Sequence, residues 1–398
     1  MAEAPPRLPD GVAPAAPILC NEPGSFAWGV FHDRHPRLLE QLCDAFPYDA
    51  DQRRALEALL DESRTGSVAR LSPRAHDAAL WDAWGQRNYG RPWADVPFLW
   101  AESYFYRRLL DVVGYFTPGP WKGVDPFAPA KAAELASATV DDELAALDTL
   151  PQLANDQSRE ALLASSLWGN RADLGFQITA DAAAHDGVDS ALVADDRARF
   201  WTHLAESPAS RVCLVADNAG RELLPDLVLI DYLLQAGLAA EVLLQLKPHP
   251  YYVSDATTAD TLACLRRLTA AGGEAARIGR RLWAAMQESR LMLRAHPFAC
   301  APLPYADMPD DLCQDYAGST VTILKGDLNY RRLVGDLHWP AVTPFASAVD
   351  YFPGPVVTLR TLKSEAVVGL QPSTLARLDA DVETWRTGGT HALIQFRQ

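Results

Sequence analysis

At 398 residues and 48% hydrophobic side chains, the chain is long enough for two domains, or for one large α/β domain with a helical cap, and too apolar for disorder. Thirty-six Lys and Arg against 51 Asp and Glu leave a formal charge of −15, which argues against a nucleic-acid binder, because such proteins show a basic face. An anionic ligand then requires a site that is locally basic or carries a metal.

The chain opens on a Pro- and Ala-rich stretch, residues 1–20, expected to be frayed. Met1-Ala2-Glu3-Ala4-Pro5-Pro6 has no basic segment leading into an apolar core, so no signal peptide is expected. Helical spacing follows: Leu38, Leu39, Leu42 and Phe46, then Leu56, Leu59 and Leu60. A helix is predicted over Trp100 to Val113. After a Pro/Gly-rich connector (Thr117 through Pro129) come helical segments at Lys131 to Ala136 and Asp141 to Leu147, and one ending near Trp168-Gly169-Asn170.

Beyond about residue 190 the texture changes. A helix is predicted at Asp196 to Leu204. Four apolar β-type runs follow, near 212–216, 242–247, 321–324 and 356–359. Helical segments lie at Glu222–Gln235, Thr258–Ala271, Glu274–Ser289 and Leu328–Gly335. Alternation of this kind implies βαβ units and a mostly parallel sheet. A helix at Thr374–Trp385, a Gly388-Gly389 turn and a strand at His391 to Phe396 close the chain. The expected organisation is a helical region over 1–190 and an α/β/α domain over 191–398. Asp226, Asp231 and Glu241 interrupt the most apolar stretch, Leu223 to Leu246, so no membrane span is expected. The cysteines, Cys20, Cys43, Cys213, Cys264, Cys300 and Cys313, form no C-x-x-C pair and read as reduced thiols of a cytoplasmic protein.

Polar clusters sit where the four apolar runs end, and in an open α/β sheet those ends share one edge. Asp217-Asn218 supplies two oxygen-bearing side chains suited to a hard divalent ion, although Asn218 could equally cap a helix starting near Gly220. Asp255 is a second carboxylate at an equivalent strand end, with helix capping as its ordinary alternative. Lys325-Gly326-Asp327-Leu328-Asn329-Tyr330-Arg331 is densest: a glycine turn, then a helix N-terminus that favours anions, flanked by two cations. Arg360-Thr361-Leu362-Lys363 adds local positive charge. If the runs are neighbours, oxygen ligands face cations, the layout of a metal-assisted reaction on a phosphate. Gly-x-Gly-x-x-Gly, Walker and Gly-x-Ser-x-Gly motifs are missing.

Taken together, these segments resemble the metal-dependent damage-control phosphatases, also catalogued as domain of unknown function 89, and among them the third subfamily, whose animal member was also called acidic residue methyltransferase. The resemblance rests on Glu102-Ser103-Tyr104-Phe105-Tyr106-Arg107-Arg108, Leu167-Trp168-Gly169-Asn170-Arg171-Ala172-Asp173-Leu174, Asp217-Asn218-Ala219-Gly220-Arg221-Glu222 and Pro250-Tyr251-Tyr252-Val253-Ser254-Asp255, with the Lys325–Arg331 segment and the Arg-Thr-x-Lys signature at Arg360–Lys363. It spans roughly residues 25 to 396.

The resemblance implies a three-layer α/β/α sandwich with a mostly parallel sheet, preceded by a helical N-terminal region. It implies that Asp217, Asn218 and Asp255 hold a divalent metal (Mn²⁺, Mg²⁺, Co²⁺ or Ni²⁺). Lys325, the Asp327–Arg331 segment (Asp327, Leu328, Asn329, Tyr330, Arg331), Arg360 and Lys363 are expected around a phosphorylated small molecule, such as fructose 1-phosphate or fructose 6-phosphate. In the animal member the positions matching Glu222 and Asp255 are contacts for S-adenosylmethionine. Asn170 and Asp173 are expected to support the pocket. The attacking group is left open between water and a carboxylate such as Asp217. Two rival readings are an S-adenosylmethionine-dependent protein-glutamate O-methyltransferase and a non-catalytic phosphometabolite-binding protein.

Overall fold

The computed structural model describes residues 15–169, 191–207, 210–381 and 384–398. Its centre is a seven-stranded sheet in the order β1-β7-β6-β5-β2-β3-β4. The strands are β1 Leu192–Asp195, β2 Arg211–Val215, β3 Glu241–Leu246, β4 Leu291–Ala295, β5 Val321–Lys325, β6 Val356–Thr361 and β7 Ala392–Arg397. Strands β2 to β6 run parallel to one another; β7 runs antiparallel to β6, and β1 pairs parallel with β7. The fold is therefore a three-layer α/β/α sandwich with a mostly parallel sheet.

Both faces of the sheet are apolar, as a parallel sheet covered by helices requires. Successive side chains point to opposite faces, and the core divides accordingly. Cys213 and Val215 of β2, with Leu243 and Leu324, join a cluster that includes Phe31, Phe98, Phe105 and Leu109 of the N-terminal helices. Val212 and Leu214, with Val242, Leu244 and Ile323, join a second cluster with Val140, Leu144, Leu162 and Leu163. The N-terminal helices thus cover both faces, and packing crosses residue 190.

The four runs singled out in the sequence are contiguous in space, as β6-β5-β2-β3. From β2 the chain winds outward through β3 and β4, then returns to place β5 on the other side of β2. The β2/β5 boundary is thus a topological switch point, the place where open α/β sheets bind ligands. Two strands lack a counterpart in the sequence reading. β1 is four residues long, and β4 is an edge strand with three partly buried residues and one exposed; neither offers a long apolar run.

His35, in the helix His35–Ala45, is almost fully buried. Its ring stacks on Phe105 at 3.7 Å and meets Phe31 and Tyr106 edge-on. Neither ring nitrogen has a hydrogen-bond partner. Burial, helped by nearby Arg34, holds its pKa well below 6.5. The unfolded chain takes up this proton near pH 6.5 and the folded chain does not, so His35 is neutral to stability above that pH and costs stability as pH falls below it. Denaturant unfolding between pH 7 and pH 5 should show His35→Phe losing less stability than the parent, by up to about 1.4 kcal/mol per pH unit. Equal losses in the two proteins would show that His35 protonates freely in the fold.

Candidate active site

Asp217 and Asn218 directly follow β2, and Asp255 ends the loop after β3. The loops meet through an isolated antiparallel bridge between Asn218 and Asp255. Two backbone hydrogen bonds flank it, Ala219 N to Ser254 O at 2.7 Å and Ala256 N to Asp217 O at 2.8 Å. Neither residue caps a helix. The helix after β2 begins at Leu223, and Thr257 caps the helix Thr258–Ala270 with its own side chain. The capping alternatives for Asn218 and Asp255 therefore fall away.

Asp217 is buried and packs against Gly326, whose φ of +81° opens the helix Gly326–Val334; a Cβ there would overlap the Asp217 carboxylate. Its carboxylate accepts one hydrogen bond, from Asn218 Nδ2 at 3.3 Å, and has no ion pair within 4 Å among the described residues. Asn218 Oδ1 accepts from Ser254 Oγ at 2.6 Å. Asp255 Oδ2 lies 3.2 Å from Lys247 Nζ, both groups buried, without good hydrogen-bond geometry. Burial, then the carboxylates of Glu222 and Asp255, push Asp217 well above the usual carboxylate range, against the pull of Lys363 and Lys247. Burial also raises Asp255, with Lys247 opposing.

The cations expected around a phosphate are mostly engaged elsewhere. Lys325 is buried against Asp226 at 2.9 Å and Ser166 Oγ at 2.9 Å. Arg331 pairs with Asp336 at 2.8 Å and Glu102 at 2.9 Å, its guanidinium 4.2 Å from the Phe98 ring centroid. Arg360, fully buried over Tyr330, pairs with Asp327 at 2.8 Å and donates to the Ser364 and Ala366 carbonyls. Asp327 also accepts from Lys363 N at 3.1 Å and Ser364 Oγ at 3.2 Å. Burial alone would raise Asp327, but the charges of Arg360 and Arg331 outweigh it and hold the pKa below the ordinary value.

Asn329 ties strand ends together, donating to Ala216 O at 3.2 Å and Lys325 O at 2.8 Å. Tyr330 OH sits between Gln395 and Val368 N, and Leu328 packs with Leu99, Tyr251 and Cys300. Lys363 differs: 40% of its side chain is exposed, and its ammonium lies 3.9 Å from Glu222 Oε1. Glu222 in turn approaches Gly169, where a Cβ would lie 2.6 Å from Glu222 Cγ. Asn170 and Asp173 lie outside the described residues.

The helix Phe98–Val112 roofs this edge. Glu102 reaches Arg331, Ser103 Oγ accepts from Tyr251 OH at 2.7 Å and contacts Tyr252 OH at 3.2 Å, and Tyr106 stacks on Tyr252 at 4.9 Å. Lys247 was given no role in the sequence, although a lysine closing an apolar strand run is a signal; Ser254 and the roof residues Glu102, Ser103 and Tyr106 lie in segments that carried the family resemblance, with no individual role expected of them.

The residues fit a divalent cation. A buried carboxylate with one long hydrogen bond is costly unless a positive charge faces it. Among the described residues no three His, Cys, Asp or Glu side chains gather closely enough to hold an ion; Asp217, Asp255 and Asn218 offer two carboxylates and an amide oxygen. Mg²⁺-type sites use one or two carboxylates and take further oxygens from substrate phosphate and water.

The family model for the damage-control phosphatase ARMT1-like domain matches residues 30–378. Damage-control phosphatase ARMT1 of Danio rerio is 29% identical, the match covering 97% of this chain and 98% of that protein. The proteins of the same name from Xenopus laevis and Homo sapiens are 30% and 27% identical, over 96% and 97% of this chain and 99% of each relative. A DUF89 family protein from Pyrococcus horikoshii shares the fold, with a TM-score of 0.51 at 14% identity over 94% of this chain and 98% of that one. Among the described residues no helix is long and apolar enough to cross a membrane.

The tight Asp217–Gly326 packing has a direct consequence. Gly326→Ala should lower the free energy of unfolding by at least about 1–2 kcal/mol, from the left-handed φ alone, as read by equilibrium denaturation. An unchanged midpoint would mean that the carboxylate does not sit against this glycine.

Proposed function

The chain belongs to the damage-control phosphatase ARMT1-like family, and from that membership and the site's geometry we propose a divalent-metal-dependent phosphatase acting on phosphate monoesters of small metabolites. Sugar phosphates such as fructose 1-phosphate and fructose 6-phosphate are the proposed substrates, with Mn²⁺, Mg²⁺, Co²⁺ or Ni²⁺ as the ion. The observation that carries this reading is the bridging of the Asp217-Asn218 and Asp255 loops beside a half-exposed lysine.

Asp217, Asn218 and Asp255 would hold the ion, which when bound supplies Lewis-acid polarisation of a phosphate oxygen. Lys363, partly exposed and held only by a long 3.9 Å contact to Glu222, would neutralise non-bridging phosphate oxygens as charge redistributes. The first-turn N–H groups of the Gly326–Val334 helix add partial positive charge at the same edge. Asp327 pins the Lys363 backbone, and Arg360 holds Asp327, so these two act by fixing where the ammonium starts. Lys325 and Arg331, buried in ion pairs, frame the crevice rather than reach into it. Glu222, 3.9 Å from Lys363, would steer that ammonium.

Phosphate release from a panel of sugar phosphates, with each of the four ions, tests the proposal. Asp217→Asn, which removes the charge at nearly constant volume, should cost roughly 10³-fold or more in kcat/KM, and Lys363→Ala roughly 10- to 100-fold. Parental hydrolysis of every ester by Asp217→Asn would sink this reading.

A further inference from the structure

The two loops that carry the proposed ion ligands are anchored by the same pair of helices, Ala128–Leu135 and Ala138–Ala146. On the β3 side, buried Lys131 uses all three of its donors. Its Nζ lies 3.3 Å from the carbonyl oxygen of Asp255, 2.9 Å from Asp260 Oδ2 and 3.0 Å from Asp125 Oδ2. Asp260 passes this restraint on, accepting from Thr257 N at 2.9 Å and Thr257 Oγ1 at 2.7 Å. On the β2 side, buried Glu143 accepts from Arg221 Nε at 3.0 Å, and Glu134 Oε2 takes the Arg221 backbone N–H at 3.5 Å. Glu134 also packs against Gly220, whose φ of +61° and missing Cβ admit the carboxylate.

We propose that this helix pair is a clamp that presets the spacing of Asp217, Asn218 and Asp255, with Lys131 and Glu143 as its positioning residues. The proposal rests on the reading of those three residues as an ion site. The two ligand loops touch each other through few backbone bonds, and each needs an outside reference to keep its carboxylate in place. The helix Ala128–Leu135 grips both loops, through Lys131 on one side and Glu134 on the other, and supplies that reference. Groups that orient ligands from behind in this way typically set metal affinity by 10- to 100-fold.

The opposite charges of Lys131 and Glu143 separate positioning from electrostatics. Coulomb effects alone would make loss of the Lys131 cation tighten binding of a divalent ion, and loss of the Glu143 anion weaken it. A clamp predicts weakening in both cases. Mn²⁺ dissociation constants of the metal-stripped full chain, by calorimetry, are to be compared for the parent, Lys131→Met, Glu143→Gln and Asp217→Asn, with circular dichroism as the check on folding. Should Lys131→Met fail to fold, Lys131→Gln, which keeps a donor, is read in the same way. Binding weakened about tenfold or more in both clamp variants, with parental circular dichroism, supports the proposal. A folded Lys131 variant that binds Mn²⁺ as tightly as the parent, or more tightly, overturns it. Parental Mn²⁺ affinity in Asp217→Asn overturns the ion site itself, whatever the clamp variants do.

Discussion

Two buried carboxylates held at one sheet edge set the terms for everything around them. Asp217 and Asp255 belong to loops from adjacent strands, and the Asn218–Asp255 bridge prevents the loops from separating to relieve repulsion. Burial and mutual charge both oppose ionisation; Lys247 pairs directly with Asp255, while Asp217 feels Lys363 and Lys247 without an ion pair of its own among the described residues. A buried like-charged pair persists when the surrounding fold is over-determined, and here it is. Gly326 lets Asp217 in, the loops bond through their backbones, and helices on both faces of the sheet leave little room for relaxation. If the proposed ion site is occupied, a cation facing these carboxylates would offset their burial cost, so its affinity would contribute to stability.

The basic residues near the crevice show how an acidic chain makes an anion-tolerant spot without a basic surface. Lys325, Arg331 and Arg360 are each buried and matched by Asp226, Asp336 with Glu102, and Asp327. Removing one partner of such a pair would leave an unmatched buried charge, at about 3–5 kcal/mol. Their role is therefore to fix local geometry, and their net contribution to the potential is small. In the proposed reading, the attraction for a phosphate would come instead from Lys363 and the helix N-terminus beside it, and from an ion held by the carboxylates.

Much of this was legible because the strand runs and the polar residues that end them are adjacent in sequence. Asp217, Asp255, Asp327 and Lys363 could be read off as strand-end groups, and the structure brings their segments to one edge. What periodicity cannot convey is which cations stay partly exposed and which are buried in ion pairs. Arg360 and Lys363 are three residues apart and look alike in sequence, yet one is fully buried and the other is partly open. Their difference depends on Asp327, Ser364 and Tyr330, which meet Arg360 only in three dimensions. Lys131 gave no signal at all, being a single lysine in an alanine-rich helix some 120 residues from its target. The strands β1 and β4 were missed for a simpler reason, because short edge strands need no apolar run.

The loop after β3 shows why the helical region and the sheet form one working unit. Tyr252 has a φ of +44°, rare for a bulky side chain and costing on the order of 1–3 kcal/mol. That conformation turns the chain back so that Asp255, three residues later, returns beside Asn218. Within the loop, Tyr252 meets the neighbouring Tyr251 ring edge-on at 4.7 Å. Further offset comes from the Phe98–Val112 helix, through the Tyr106 stack and the Ser103 hydroxyl, while Lys131 holds the carbonyl of Asp255 from a different helix. Removing the helices would take away these contacts and leave Asp255 held by its bridge to Asn218 and its pairing with Lys247. A sheet edge made only of residues 191–398 would thus keep that bridge and lose the restraints that oppose the strain at Tyr252, which originate before residue 190.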